Sequence, residues 1–192
     1  MWLAAQTTVQ PSGDVVALAE AKAFLRLDAG FTADDVTVVG QVAAAIMHIQ
    51  KETGLRFLTQ TVVLRASDFT DLIHLPVGPV QSVSSVEYLD SNGMAQMLDP
   101  SNYEHFGADL DQGVRAAFNY RWPVVRRVAD AVKVTAVVGY GAPADVPTLL
   151  HQAIMMLAAD WYENREDTVA ERSVKPETMP NGVTAILSNF RV

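Results

Sequence analysis

A chain of 192 residues, 49% of them apolar and 19% charged, is long enough for one folded domain carrying an insertion and too apolar to stay disordered. Its net charge of −8 argues against a surface built to grip phosphates, and the absence of cysteine removes disulfide scaffolds, Cys-based zinc sites and thiol nucleophiles together. No apolar run reaches the length of a bilayer span and the opening residues lack the basic and apolar regions of a signal peptide, so synthesis and residence in a cytoplasm are expected.

After an arm punctuated by Pro11 and Gly13, Leu18, Ala21, Phe24 and Leu25 share one helical face, which predicts a first helix over about 17–27. Its start is weakly marked, because Ala17 stands where a capping Ser or Thr would. Thr32 with Asp35 three residues on resembles a capping box. Val36, Val39, Val42, Ala43, Ile46 and Ile49 then follow helical spacing until Gly54, predicting a second helix over about 33–53 that pairs antiparallel with the first.

From Thr59 the period changes to two. Strands are predicted at 61–65, 72–75, 83–89, 94–98, 103–106, 114–118 and 131–138, with Asn92-Gly93 as a hairpin turn. The region 59–139 therefore reads as an antiparallel β region inserted between helices, and the fold class as α+β. Gly139-Tyr140-Gly141-Ala142-Pro143 ends it.

Residues 146–167 form the most apolar segment, with Leu149, Leu150, Ala153, Ile154, Met156, Leu157, Ala158 and Trp161 on one arc and His151, Gln152, Tyr162 and Glu163 opposite. Asp145 is the predicted N-cap and Pro147 falls in the first turn of a helix over about 146–166. Leu149, Ile154, Leu157 and Trp161 are expected under the first two helices, leaving the arc near Met155 and Met156 for a neighbour. A polar linker follows, and Val183, Ile186, Leu187 and Phe190 then recur at helical spacing in a short amphipathic segment ending in Arg191-Val192. Residues 1–168 are thus read as one domain and 169–192 as a linker with a docking segment.

Chemistry-bearing motifs are weak. The four histidines, His48, His74, His105 and His151, lack the partner spacing of zinc motifs. Asp109-Leu110-Asp111 could offer two carboxylates to a cation, but between Gly107 and Gly113 it reads first as a solvated loop. Gly139-Tyr140-Gly141 sits where a phosphate turn would, yet no third glycine opens the helix and no Gly-Lys-Ser/Thr follows. Glu163, Glu166 and Asp167 read as a solvated helix end that opposes the helix dipole, offset in part by Arg165. Arg121, Trp122, Arg126 and Arg127 bring cations and an aromatic together, but in an acidic overall field they read first as a solvated loop with a packed Trp. No catalytic, cofactor or metal residue is assigned.

The order of blocks says more than any one of them. LAEAKAFLRLD, TGLRFLTQT, LPVGPVQSVSSVEYLDSNG, VTAVVGYG with VPTLLHQAIMMLAADWYENRE, and MPNGVTAILSNFR together resemble the tailed-phage head–tail connector (adaptor) proteins of the gp6-like and phiE125 gp8-like family, which also occurs in gene transfer agents. The resemblance runs from about Leu18 to Arg191; Tyr120 to Asp130 matches nothing in it. It implies a helical core with β excursions and a non-enzymatic role, with no cofactor. Copies would form a ring, a dodecamer, beneath the portal protein at the capsid vertex. The ring would extend the DNA channel without tight DNA binding and offer a platform to the next connector (stopper) or tail protein. The interface candidates are Val183, Ile186, Leu187, Phe190, Arg191, Met155, Met156, Tyr162 and Arg165.

Two alternatives come from other classes: a small cytoplasmic metal-dependent enzyme using the Asp109/Asp111 loop or the Gly139 turn, and a binding module for another virion protein. Replacing Asp109 and Asp111 together by alanine separates the first from the connector reading. Function should survive in a connector and collapse in a metalloenzyme, measured by particle production and by divalent-cation binding.

Overall fold

The computed structural model describes residues 1–108, 110–164 and 179–190. The chain divides into two compact units, a strand-rich one over 1–12 and 54–142 and a helical one over 13–53 and 143–191. The class is α+β, as the changes of period predict.

In the strand-rich unit, β1 (Gln6–Val9), β2 (Gln60–Ala66), β3 (Val80–Leu89), β4 (Ala95–Met97) and β7 (Val132–Val138) form an antiparallel sheet in the order β1-β2-β7-β3-β4. β5 (Tyr103–Ala108) and β6 (Asp111–Ala116) form a separate antiparallel hairpin. The alternation legible in β7 is realised: Val132, Val134, Ala136 and Val138 are buried, while Lys133, Thr135 and Val137 face the other side half-buried. Lys133 lies opposite Glu87 on β3, and their charged ends meet at 3.1 Å. The buried face packs with Val62, Leu64, Phe69, Leu72, Leu75 and Val86 into one core.

Two expectations fail here. Residues 72–75 are not a strand; Phe69–Ile73 is a 3-10 turn, because Asp68 accepts from the Thr70 N–H and Asp71 accepts from the Asp68 N–H, a reciprocal cap that begins a helical turn. The opening arm contains β1, which period alone does not reveal because its residues are mostly exposed on the sheet edge. The hairpin β5–β6 comes very close to this turn: a Cβ on Gly113 would lie 2.0 Å from the Ile73 carbonyl oxygen, and Gln112, buried, accepts the Val80 N–H on the otherwise open edge of β3.

The helical unit holds α1 (Leu18–Phe24), α2 (Asp35–Thr53), α3 (Thr148–Glu163) and α4 (Asn181–Leu187). α3 packs on α1, α2 and α4. Leu150, Ala153, Ile154 and Leu157 of α3 and Val38, Val42, Ala45 and Ile49 of α2 are its buried faces. Several sequence assignments shift. α3 begins two residues later than predicted, after a 3-10 turn over Pro143–Asp145, so Pro147 and not Asp145 occupies the cap position. Leu149 is 53% exposed, on the flank of the arc instead of its centre. On α2 the predicted Val42 and Ile49 are buried and Ile46 is half-buried, but Val38 and Ala45 complete the inward face, whereas Val36, Val39 and Ala43 face solvent.

On α1 the inward place is taken by Lys22, not Phe24. The buried Lys22 ammonium lies 2.9 Å from the Asp35 carboxylate and donates to the carbonyls of Ala29 and Phe31, so the α1–α2 connection wraps around one cation. Asp35, predicted as the third residue of a capping box, thus serves as that cation's counter-ion.

Removing the cation alone strands a carboxylate and two carbonyls. Lys22→Met should cost about 2–3 kcal/mol, and Lys22→Met with Asp35→Leu should cost less than Lys22→Met alone, as read from urea unfolding midpoints.

Candidate functional site

The fold divides the residues expected at interfaces. Val183 and Leu187 turn inward within the helical unit and are buried, while Ile186 and Phe190 are half-buried. Gly182 rests on Met156, whose Cε would lie 2.8 Å from any added Cβ, so the first turn of α4 covers part of the arc assigned to a neighbour. Met155 stays at the rim of an open groove of about 420 Å³ bordered by Asp14, Glu20, His151 and Gln152. Tyr162 donates its hydroxyl to Asp34 and ties the end of α3 to the start of α2. Arg165, Arg191 and the acidic pair Glu166 and Asp167 lie outside the described residues.

The positions examined for chemistry take other roles. Asp109 is outside the described residues, and Asp111 sits 3.3 Å from His74 Nδ1 with both side chains in solvent. The His48 ring meets Trp161 edge to face at 5.7 Å. His151 Nε2 is 3.2 Å from the Pro143 carbonyl, and burial lowers the pKa of His105 on β5. Among the described residues no three His, Asp or Glu side chains converge as metal ligands would, and no helix is long and apolar enough to cross a membrane.

The Gly139-Tyr140-Gly141 turn is filled by backbone. The Tyr140 N–H donates to Phe57 O at 2.9 Å and the Thr59 N–H to Gly141 O at 3.0 Å. Gly139, at φ +114°, would place a Cβ 2.3 Å from the Leu58 carbonyl oxygen. No cradle for a phosphate is left there; the turn clasps the strand that leaves Leu58 to the one arriving at Gly141.

The segment between β6 and β7 is the feature sequence reasoning resolved least. Residues 114–118 were expected to form a strand, but β6 ends at Ala116, where Asn119 at φ +63° and a Tyr120 N–H to Ala117 O bond turn the chain. Trp122 then stacks on Phe69, ring centroids 4.5 Å apart and planes 2° from parallel, with Tyr120 edge-on to it. Val125 bridges Asp90, the Arg126 N–H donates to Leu89 O, and the Arg126 guanidinium fills the space a Gly93 side chain would take. The Asp90 carboxylate, bonded by the Gln96 side chain and the N–H groups of Met94 and Asn92, titrates below the ordinary carboxylate range and braces this turn. Pinned at these points, the loop leaves Arg121, Arg126 and Arg127 exposed. The packed Trp and the solvated arginines were both legible in the sequence; Phe118 in solvent was not.

No protein-family model matches the chain, and no curated protein matches it. Solved structures do. The fold is similar over 98% of this chain to 95% of a chain from the neck of an empty gene transfer agent particle computed with C6 symmetry, with a TM-score of 0.77 and 25% identity. It is equally similar to a chain of the virion of a native gene transfer agent particle, at a TM-score of 0.76, 25% identity and the same coverage. The fold also recurs in the neck of the native particle computed with C12 symmetry, covering 96% of this chain and 94% of that one at a TM-score of 0.66 and 24% identity. The connector resemblance read from the sequence therefore has structural counterparts in gene transfer agent necks.

Because Gly139 has both a positive φ and a carbonyl in its Cβ position, Gly139→Ala should destabilise the protein by about 3 kcal/mol or more, visible as a lowered thermal midpoint. Wild-type stability in this variant would show that the turn is not a clasp.

Proposed function

We propose that this chain is a non-enzymatic connector subunit at the head–tail junction of a gene transfer agent or related tailed-phage particle. Copies form a ring under the portal protein, extend the DNA channel, and carry the next connector (stopper) or tail protein. The observation that carries this reading is the match over nearly the whole chain to a gene transfer agent neck component. The C6 and C12 symmetries of the related neck structures support a ring of twelve copies. A net charge of −8 suits a wall past which DNA slides without being held.

Within the described part of the C-terminal segment, Ile186 and Phe190 are apolar side chains with surface left to offer a portal or an adjacent connector. Val183 and Leu187 serve that purpose only if α4 leaves α3, so truncating 183–192 would confound docking with loss of buried apolar area.

Particles made without this protein should have heads lacking tails, and cryo-electron microscopy of wild-type particles should show a ring at the junction that accommodates its fold. Ile186→Ser with Phe190→Ser should leave the purified chain folded by circular dichroism while reducing its incorporation into particles. Normal tailed, DNA-filled particles in its absence would overturn the connector reading; normal incorporation of the double variant would overturn only the docking role of these two residues.

A further inference from the structure

α2 is apolar on two opposite sides. One side, with Val38, Val42, Ala45 and Ile49, is buried. At 100° per residue Val36, Val39, Gly40, Ala43 and Met47 fall together on the other, and all five are exposed, Val36 by 87% and Met47 by 70%. The centre of this face carries only small residues, a low point between Val36, Val39 and Met47: nothing lies within 4 Å of a Cβ built on Gly40, and Ala43 is one turn on.

The loop between β6 and β7 has the opposite shape. It holds Phe118, 90% exposed, and Val124, 78% exposed, on a backbone pinned by the Trp122–Phe69 stack and the Arg126–Leu89 hydrogen bond. A pinned backbone lowers the ordering cost of docking these side chains. Charge separates the two surfaces as well. Among the described residues the helical unit carries nine acidic side chains against three basic ones, whereas residues 116–129 hold three arginines and no acid.

We infer that the Phe118–Val124 loop of one copy docks on the outward α2 face of the next copy, Phe118 meeting the low point at Gly40 and Ala43 while Arg121, Arg126 and Arg127 meet the acidic helical unit. The occupant is a second copy because a closed ring needs two different, complementary surfaces on every subunit, and this chain presents an apolar low point in an acidic field and an apolar knob in a basic one. The inference rests on the ring proposed above and names its contact.

The chain has no cysteine, so single thiols report cleanly. Ala43→Cys and Phe118→Cys chains, made separately and co-incorporated into particles, should be joined by a short bismaleimide into a chain dimer that neither variant gives alone. A chain carrying both substitutions should give a ladder of multimers. Gly40→Glu should keep the wild-type fold, since its side chain enters open space, yet incorporate at least about tenfold less well. A ring seen at the junction without the mixed dimer, or Ala43→Cys joined instead to a different neck protein, would overturn this contact and leave the ring reading intact. Absence of any ring would overturn both.

Discussion

The helical unit is assembled from two stretches of chain separated by the whole of 54–142, and the backbone clasp at Thr59 and Gly141 is what makes that arrangement inexpensive. Closing a free loop of about ninety residues costs on the order of 4 kcal/mol, whereas the few residues left once the strand-rich unit has brought its own ends together cost about 2 kcal/mol. β2 and β7 are antiparallel neighbours, so the chain leaves and returns at the same end of the sheet. Gly139 and Gly141, both at positive φ, let the returning strand lie against Leu58 and Thr59 without side chains in the way. Val42, Ile49, Leu150, Ile154 and Leu157, each worth roughly 1.5–3 kcal/mol when fully buried, then outweigh the remaining closure cost several-fold.

Burial explains where the polar exceptions lie. Lys22 is inside because three oxygens meet its ammonium there, and that single side chain fixes the connection between α1 and α2. Gln112 is inside because an edge N–H of β3 needs an acceptor. Each satisfies backbone that would otherwise be stranded in an apolar setting. The same logic places the aromatic stack of Phe69 and Trp122 beneath the loop that follows β6, where it substitutes for the strand pairing that the loop lacks.

How much of this was legible depended on whether one force dominated locally. The cores of α3 and β7 follow from periodicity because burial on one face sets their pattern. Where both faces of a helix are apolar the pattern is ambiguous, and α2 was placed with Val36 and Val39 inward although Val38 and Ala45 occupy that side. The short turn at Phe69–Ile73 was misread because Leu72, Ile73 and Leu75 look strand-like, while the decisive signal was the Asp68 and Asp71 pair. Of the interface candidates, Val183 and Leu187 lie on the buried side of α4, but which body that side meets depends on the shape of α3, and spacing carries no such information. Phe118 reads as a strand residue in the sequence because nothing in its neighbours announces a left-handed Asn119.

The uneven distribution of charge bears on how an exposed apolar helix face is kept from self-association. Two α2 faces brought together would also bring together two helical units, each with nine acidic side chains against three basic ones among the described residues, and the like charges would oppose the symmetrical pair. A two-fold dimer is thereby penalised while a directional, head-to-tail sequence of subunits is not. In the proposed ring, the acidity that first served to argue against a grip on phosphates would also set like faces against one another and favour a surface of the other sign.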